Sequence, residues 1–538
     1  MKNLTSILVP LILLFIACCT QNCNYINSQS AIQDKDSLPR NHNIDISIPG
    51  NFSKITNLHF DSTAVQQFFL QFPLMLPYKK EVSRFYTDRN YSFAWYDNNG
   101  LLEQSQNLYN RLLNLSLEGL PDTVLYKDAF TGLMQNEGLD STNQPLITNE
   151  LMLTAQYFMY AKNVWGGLDE KTTNELNWYL PRKKVAYGQL LDSLLKDETL
   201  LTNAPVYRQY NLLKSALAKY KAIEAKGGFP VIVVDKKVYK TGDTSVAIVA
   251  IRKELFLTGD LKNDNGSNIF DTALATGVLH FQGRMGEQQD AVIGPAMLAE
   301  LKVSVEKRIQ QLMINMERSR WVPVALKGDY LLINIPEYKL HVIANDSLLW
   351  SMNVVVGTAT NKTVIFNGNI KYIVFSPYWN VPGSILKKEV LPGIKRNPNY
   401  LANHNMEWNG NGVRQKPGVN NSLGLVKFLF PNSFDIYLHD TPSKSLFGET
   451  NRAFSHGCIR LAQPQKLAEY LLSNDSSWNT DKIVAAMNSG KEKYVTLTQT
   501  MPVFIAYFTA WVDRKGQLNF RKDVYNRDSR LIGMMMEK

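Results

Sequence analysis

A chain of 538 residues is too long for one hydrophobic core, so two to four domains are expected. Its content, 45% hydrophobic and 20% charged, is that of an ordinary globular protein rather than a disordered one. The formal charge of +10 favours anionic partners, but the basic residues are scattered rather than clustered with aromatics. That argues against nucleic acid and suits a wall polymer or a membrane surface.

Met1-Lys2-Asn3 leads into Leu4–Ala17, an apolar stretch too short to span a bilayer and shaped like the core of a signal peptide. Its end, Phe15-Ile16-Ala17-Cys18, resembles a bacterial lipobox, with Phe15 where leucine is usual. The resemblance implies a lipid anchor at Cys18. Ordinary cleavage nearby is the alternative, and both readings export the chain to the periplasmic face of the envelope. Residues 18–50 are polar and aperiodic, a flexible tether.

Residues 51–240 read as a helical scaffold. Leu108, Leu112 and Leu115 recur at helical spacing, as do Tyr210, Leu213, Leu217 and Tyr220. Tyr91–Trp95 and Asn177-Trp178-Tyr179 add aromatic bulk for packing. Gly227-Gly228 ends the helical run, and Val231–Val234 reads as a short buried strand. Residues 241–305 form a small three-helix unit: helix, Thr258-Gly259-Asp260-Leu261, helix with Phe281-Gln282, Asp290-Ala291-Val292-Ile293-Gly294, helix. That order resembles the peptidoglycan-binding domain, with Ala291 where glycine is usual.

From Tyr330 the period becomes strand-like. Leu331–Ile335 and Lys339–Ala344 form a hairpin, and Trp350–Val356, Ile370–Phe375, Val426–Phe430 and Asp435–His439 continue the series. A Gly/Pro/Asn-rich insertion at about 382–424 is too long for a simple loop and reads as a lid over a cleft. Gln465–Leu472 reads as a helix, and Val503–Val512 returns to strands. The whole is a multidomain α+β chain, with a β-rich domain at 306–475 and a C-terminal extension at 476–538 packed on it.

Of four cysteines, Cys18, Cys19 and Cys23 cluster at the leader and Cys458 stands alone. An isolated thiol in an exported chain forms no disulfide staple and is a liability unless used. A small buried hydrophobe is the bland alternative. Cys458 sits in Ser455-His456-Gly457-Cys458, nineteen residues after His439. A thiol needs a base or a lowered pKa to act as a nucleophile, and His439, at a strand end, is the best base. A glycine beside the thiol permits a sharp turn and leaves backbone amides to face a substrate oxygen. On extended backbone His456 and Arg460 share a face with Cys458, and Arg460 suits a substrate carboxylate. A zinc site of His439, Asp440, His456 and Cys458 is the rival reading, but the usual ligand spacings are absent. No metal and no cofactor is expected.

The run Asp435–Leu461 resembles the signature of L,D-transpeptidase catalytic domains of the YkuD type: a histidine, a loop, then S/T-H-G-C with Arg or Asn two residues later. Pro377–Pro382, Gln415–Gly418, Asn421–Gly424, Pro431-Asn432 and Thr509–Asp513 match the large multidomain, YcbB-like members; Thr363-Val364 departs from their Thr-Pro. The resemblance implies that Cys458 attacks a peptidoglycan stem peptide, forms a thioester and releases terminal D-alanine. His439 would be the base. The amides of Gly457 and Cys458, with Tyr437, would form the oxyanion site, and Ser455, His456 and Arg460 would complete the substrate groove. A 3→3 crosslink and acylation by carbapenems are further implications. L,D-carboxypeptidase or exchange activity at the same site, or a non-catalytic wall-binding lipoprotein, are the alternatives.

Overall fold

The structure, a computed structural model, describes residues 56–97, 100–196 and 204–536. The leader, Cys18 and the tether lie outside the described residues. The helical region holds α1 (Ile147–Tyr160) and α2 (Arg208–Ala225), followed by α3 (Val246–Thr258), α4 (Thr272–Met285), α5 (Pro295–Leu301) and α6 (Val305–Trp321). The apolar repeats at Leu108/Leu112/Leu115 and Tyr210/Leu213/Leu217/Tyr220 are all buried.

Helices α3 to α5 are closed by local chemistry. Ser245 and Asp271 cap α3 and α4 by accepting N–H groups of the first turn. Asp260, in the turn after α3, takes a bidentate contact from Arg284 of α4 at 2.6–2.8 Å. Gln282 Oε1 accepts the N–H groups of Asp290 and Ala291, each at 3.1 Å. Ala291 has φ 57°, which accounts for glycine being usual there.

Val231–Val234 does not form the expected buried strand. Val231 and Val233 are 85% and 76% exposed, and the segment joins no ladder. Apolar residues make a strand only where an edge is available. Here Tyr239, further on, takes the bridge to Ile293.

The β-rich half is a ten-stranded sheet. Its strands are β1 (Trp178–Tyr179), β2 (Tyr330–Asn334), β3 (Lys339–Ala344), β4 (Ser347–Gly357), β5 (Ile365–Phe375), β6 (Val426–Leu429), β7 (Leu438–His439), β8 (Ala453–Ser455), β9 (Ile459–Leu461) and β10 (Lys493–Ala506). The order is β6-β7-β9-β4-β3-β2-β10-β5-β1, with β8 paired to β4 off this path, and β5 also pairs with β6, so the sheet closes on itself. The expected hairpin is β2–β3, with Leu331↔Val342 and Ile333↔Leu340 in register and all four buried. β1, supplied by the helical region, adds to β5 in parallel.

The insertion between β5 and β6 has structure of its own. Strands Trp379–Asn380, Met406–Asn409 and Gly412–Gln415 form a small sheet. With short helical turns they enclose Val381, Val390 and Val413. It is a folded cap rather than a loop.

Candidate active site

Two short parallel strands, β7 and β9, place the candidate residues. Leu438 pairs with Ile459 and His439 with Arg460, and Ile459 N–H donates to Tyr437 O at 3.2 Å. Laterally paired residues point to one face and alternate residues return to it. Tyr437 and His439 on one strand therefore share a face with Cys458 and Arg460 on the other, while Leu438 and Ile459 fill the core beneath, each 0% exposed. The Tyr437 and His439 rings lie 5.7 Å apart between centroids.

The turn before β9 is tightly pinned. Ser455 Oγ donates to Cys458 O at 2.5 Å and accepts the Gly457 N–H at 3.2 Å. Gly457 has φ 121°, a conformation that excludes a side chain in practice. Its carbonyl accepts from Thr363 Oγ1 at 2.8 Å. Thr363 N–H in turn donates to the Tyr525 phenol at 3.2 Å, and that phenol donates to Gly357 O at 2.8 Å. A tyrosine near the C-terminus and a threonine just before β5 thus hold the turn that carries Cys458.

One expectation changes. The Gly457 amide is taken by Ser455, leaving the Cys458 N–H as the amide without a protein acceptor among the described residues. The His456 imidazole lies 3.6 Å from Glu389 of the cap, both side chains 56% exposed.

The thiol donates to Asp435 O at 3.6 Å, and Asp435 itself has φ 54°. Burial pushes the Cys458 thiol above its ordinary value, opposed by hydrogen bonding from the Tyr437 main chain and phenol and by the Arg460 charge. Burial also holds His439 down, to about 3; the Arg460 and Lys427 charges act the same way, and the bond to Asp440 opposes them. His439 Nδ1–H donates to Asp440 O at 2.5 Å, which leaves Nε2 as the free, basic nitrogen. Asp440 is fixed in turn by Leu425 N–H at 2.9 Å and by Lys444. Thiol and imidazole are both neutral at rest.

Sequence reasoning missed Lys427, Thr363, Tyr525 and the second role of Asp440. Lys427 is discoverable only through strand register, and the other contacts join residues far apart in the chain. A cavity of about 270 Å³ lies elsewhere, between Tyr78, Tyr160, Glu317 and Met535. Both Glu317 oxygens there are already bonded.

Residues 328–501 match the family described as L,D-transpeptidase catalytic domain, YkuD, and residues 80–217 match a Scaffold domain family. A curated Haemophilus influenzae protein named for L,D-transpeptidase activity is 32% identical over 243 residues, covering 41% of this chain and 49% of its own. The chain therefore spans about half the length of that relative. Solved L,D-transpeptidases of Stackebrandtia nassauensis and Mycobacterium smegmatis align at TM-scores of 0.22 and 0.20 with 14% and 13% identity. They cover 52% and 33% of this chain and 96% and 58% of their own, and such scores carry no argument about the fold. The motif from Tyr437 to Arg460 falls inside residues 328–501, the stretch of this chain that matches the YkuD family of L,D-transpeptidase catalytic domains.

Proposed function

We propose that the chain is a cysteine-dependent L,D-transpeptidase that forms 3→3 peptidoglycan crosslinks. The observation that carries the reading is the common face of Tyr437, His439, Cys458 and Arg460 on two adjacent parallel strands. Cys458 Sγ attacks the carbonyl between the third and fourth stem residues while its proton passes to His439 Nε2. The sulfur–carbon bond forms, the carbon–nitrogen bond breaks, and His439 returns the proton to the departing D-alanine amine. The side-chain amine of a diamino acid on a second stem then attacks the thioester, and His439 accepts its proton as the thiol leaves. The Cys458 N–H, with the Tyr437 phenol beside it, supplies the oxyanion donors.

A thioester conserves acyl-transfer potential, so the crosslink needs no nucleotide. Water in place of the amine would give a carboxypeptidase, and exclusion of water is the role we assign to the cap. The proposal includes export, a lipid anchor at Cys18, wall contact through the α3–α5 unit and acylation by carbapenems. The test is incubation with purified disaccharide tetrapeptides, read by mass spectrometry against Cys458→Ala. A crosslinked dimer lacking one D-alanine, absent from the control, is expected. Tripeptide alone would assign a carboxypeptidase, and no turnover together with no carbapenem adduct would leave a wall-binding scaffold.

A further inference from the structure

Strand register extends the site one strand beyond the catalytic pair. Lys427 of β6 pairs with His439 of β7, which pairs with Arg460 of β9. The three side chains form a row on one face, the histidine between two cations. Neither cation has a hydrogen-bond partner among the described residues. The Lys427 side chain is 12% exposed and makes no hydrogen bond among the described residues. Its one ion-pair contact, Glu492 Oε1, is 3.9 Å away and already accepts the Tyr378 N–H at 2.9 Å. The Arg460 guanidinium also has no hydrogen-bond partner among the described residues, and its Nε is buried without an acceptor. Buried cations whose donors are left unpaired are costly, and a site that flanks a histidine with two of them is built for an anion.

We propose that Lys427 and Arg460 form a subsite for the C-terminal carboxylate of the residue that leaves when Cys458 is acylated. The inference rests on the transpeptidase reading above. The chemistry fixes where that carboxylate must lie. The leaving amine takes its proton from His439 Nε2, so its nitrogen sits against the imidazole. The terminal carboxylate is separated from that nitrogen by a single carbon, so it falls beside His439, in the row held by Lys427 and Arg460. Binding there also offsets the two charges that disfavour imidazolium. His439 then accepts the thiol proton more readily once the correct donor is in place, and the carboxylate departs with the amine. Besides these, the imidazole meets the Tyr437 ring at 5.7 Å and Asp440, whose carboxylate is held by Leu425 N–H and Lys444; Asp435 lies by Cys458, and Glu492 by Lys427.

The test separates binding from turnover. Affinities for a disaccharide tetrapeptide and for its C-terminal carboxamide are measured by calorimetry on the full chain carrying Cys458→Ala, alone and with Lys427→Met. The expected result is about tenfold or greater preference for the free acid, collapsing to within about threefold when Lys427→Met is added, with Lys427→Arg restoring it. Lys427→Gln serves if the methionine variant fails to fold. Equal affinity for acid and amide, or a preference that survives loss of Lys427, overturns the proposal. So does a loss that follows amidation of the third residue's side-chain carboxylate instead. Because the Cys458→Ala chain is inert by design, these outcomes stand whether or not the wild-type chain crosslinks stems. Failure of the transpeptidase reading would appear separately, as wild-type chain that binds tetrapeptide and releases no D-alanine.

Discussion

Burial moves Cys458 and His439 toward neutrality from opposite ends of the pH axis. The thiol is held above its ordinary value and the imidazole near 3, so the resting site is not a thiolate–imidazolium pair. Alkylation of Cys458 by iodoacetamide in the absence of substrate is therefore expected to be slow at neutral pH. It should climb about tenfold per pH unit without levelling below pH 9. A plateau between pH 5 and 8 would mean that the ion pair pre-exists. Ser455 is the second residue whose loss should be informative, since its hydroxyl bonds both Gly457 N–H and Cys458 O. Ser455→Ala should lower kcat at least about tenfold, with a stability loss of only about 1–3 kcal/mol in denaturant titration. Unchanged kcat would show that the turn is set by Gly457 and Thr363 without it. The face shared by Cys458 and Arg460 was legible because strand parity is a local property, whereas the strand pairing that brings Tyr437 and His439 to it is not. Lys427 was illegible because its place beside His439 arises from pairing between strands.

Elements that depend on local chemistry followed the sequence closely. The β2–β3 hairpin and the helix expected at Gln465–Leu472, observed at Pro464–Leu471, lie where apolar period and turn residues put them. Elements that depend on a partner did not: Val231–Val234 has the composition of a strand and no edge to join. The cap was recognisable as more than a loop by its length, but its core of Val381, Val390 and Val413 gathers residues from short segments without a readable period. In the three-helix unit, the departure at Ala291 has a measurable cost. Its left-handed backbone is one that an L side chain adopts at a penalty of about 1–2 kcal/mol. Ala291→Gly is expected to stabilise the chain by up to about 1 kcal/mol, read as a higher denaturant midpoint at unchanged slope. A lower midpoint would show that the alanine methyl is packed favourably enough to outweigh the strain.

Across the molecule, α6 joins the helical and β-rich halves through buried charge. Arg320 donates to Val164 O at 2.9 Å, Glu118 O at 2.5 Å and Glu317 Oε2 at 2.7 Å, and its guanidinium lies over the Tyr210 ring at 5.1 Å. Two residues earlier Arg318 pairs with Asp528 at 2.7 Å, and Asn315 exchanges hydrogen bonds with Thr509 at 2.8 and 2.9 Å. A helix so rich in charge gives no compositional sign of being enclosed, and only its partners from distant segments explain it. Arg320→Met would leave Glu317 and two carbonyls short of a donor. It should cost about 3–5 kcal/mol, seen as a lowered melting transition in calorimetry. Retention of the wild-type transition would mean that the helix tolerates rearrangement of the whole network.

The order of strands in the sheet differs from their order of synthesis, and this sets a schedule for the thiol. β10 lies between β2 and β5, pairing Val503 with Leu331 and Thr496 with Tyr372. Until it arrives, a growing chain that already contains Cys458 has two open edges and an unclosed sheet, and Tyr525, which braces the nucleophile's turn, comes later still. Closure waits on contacts of long sequence separation, which form slowly and leave unpaired edges exposed to other chains. Cys458 is thus synthesised before the framework that braces it, and its geometry is complete only once both have joined.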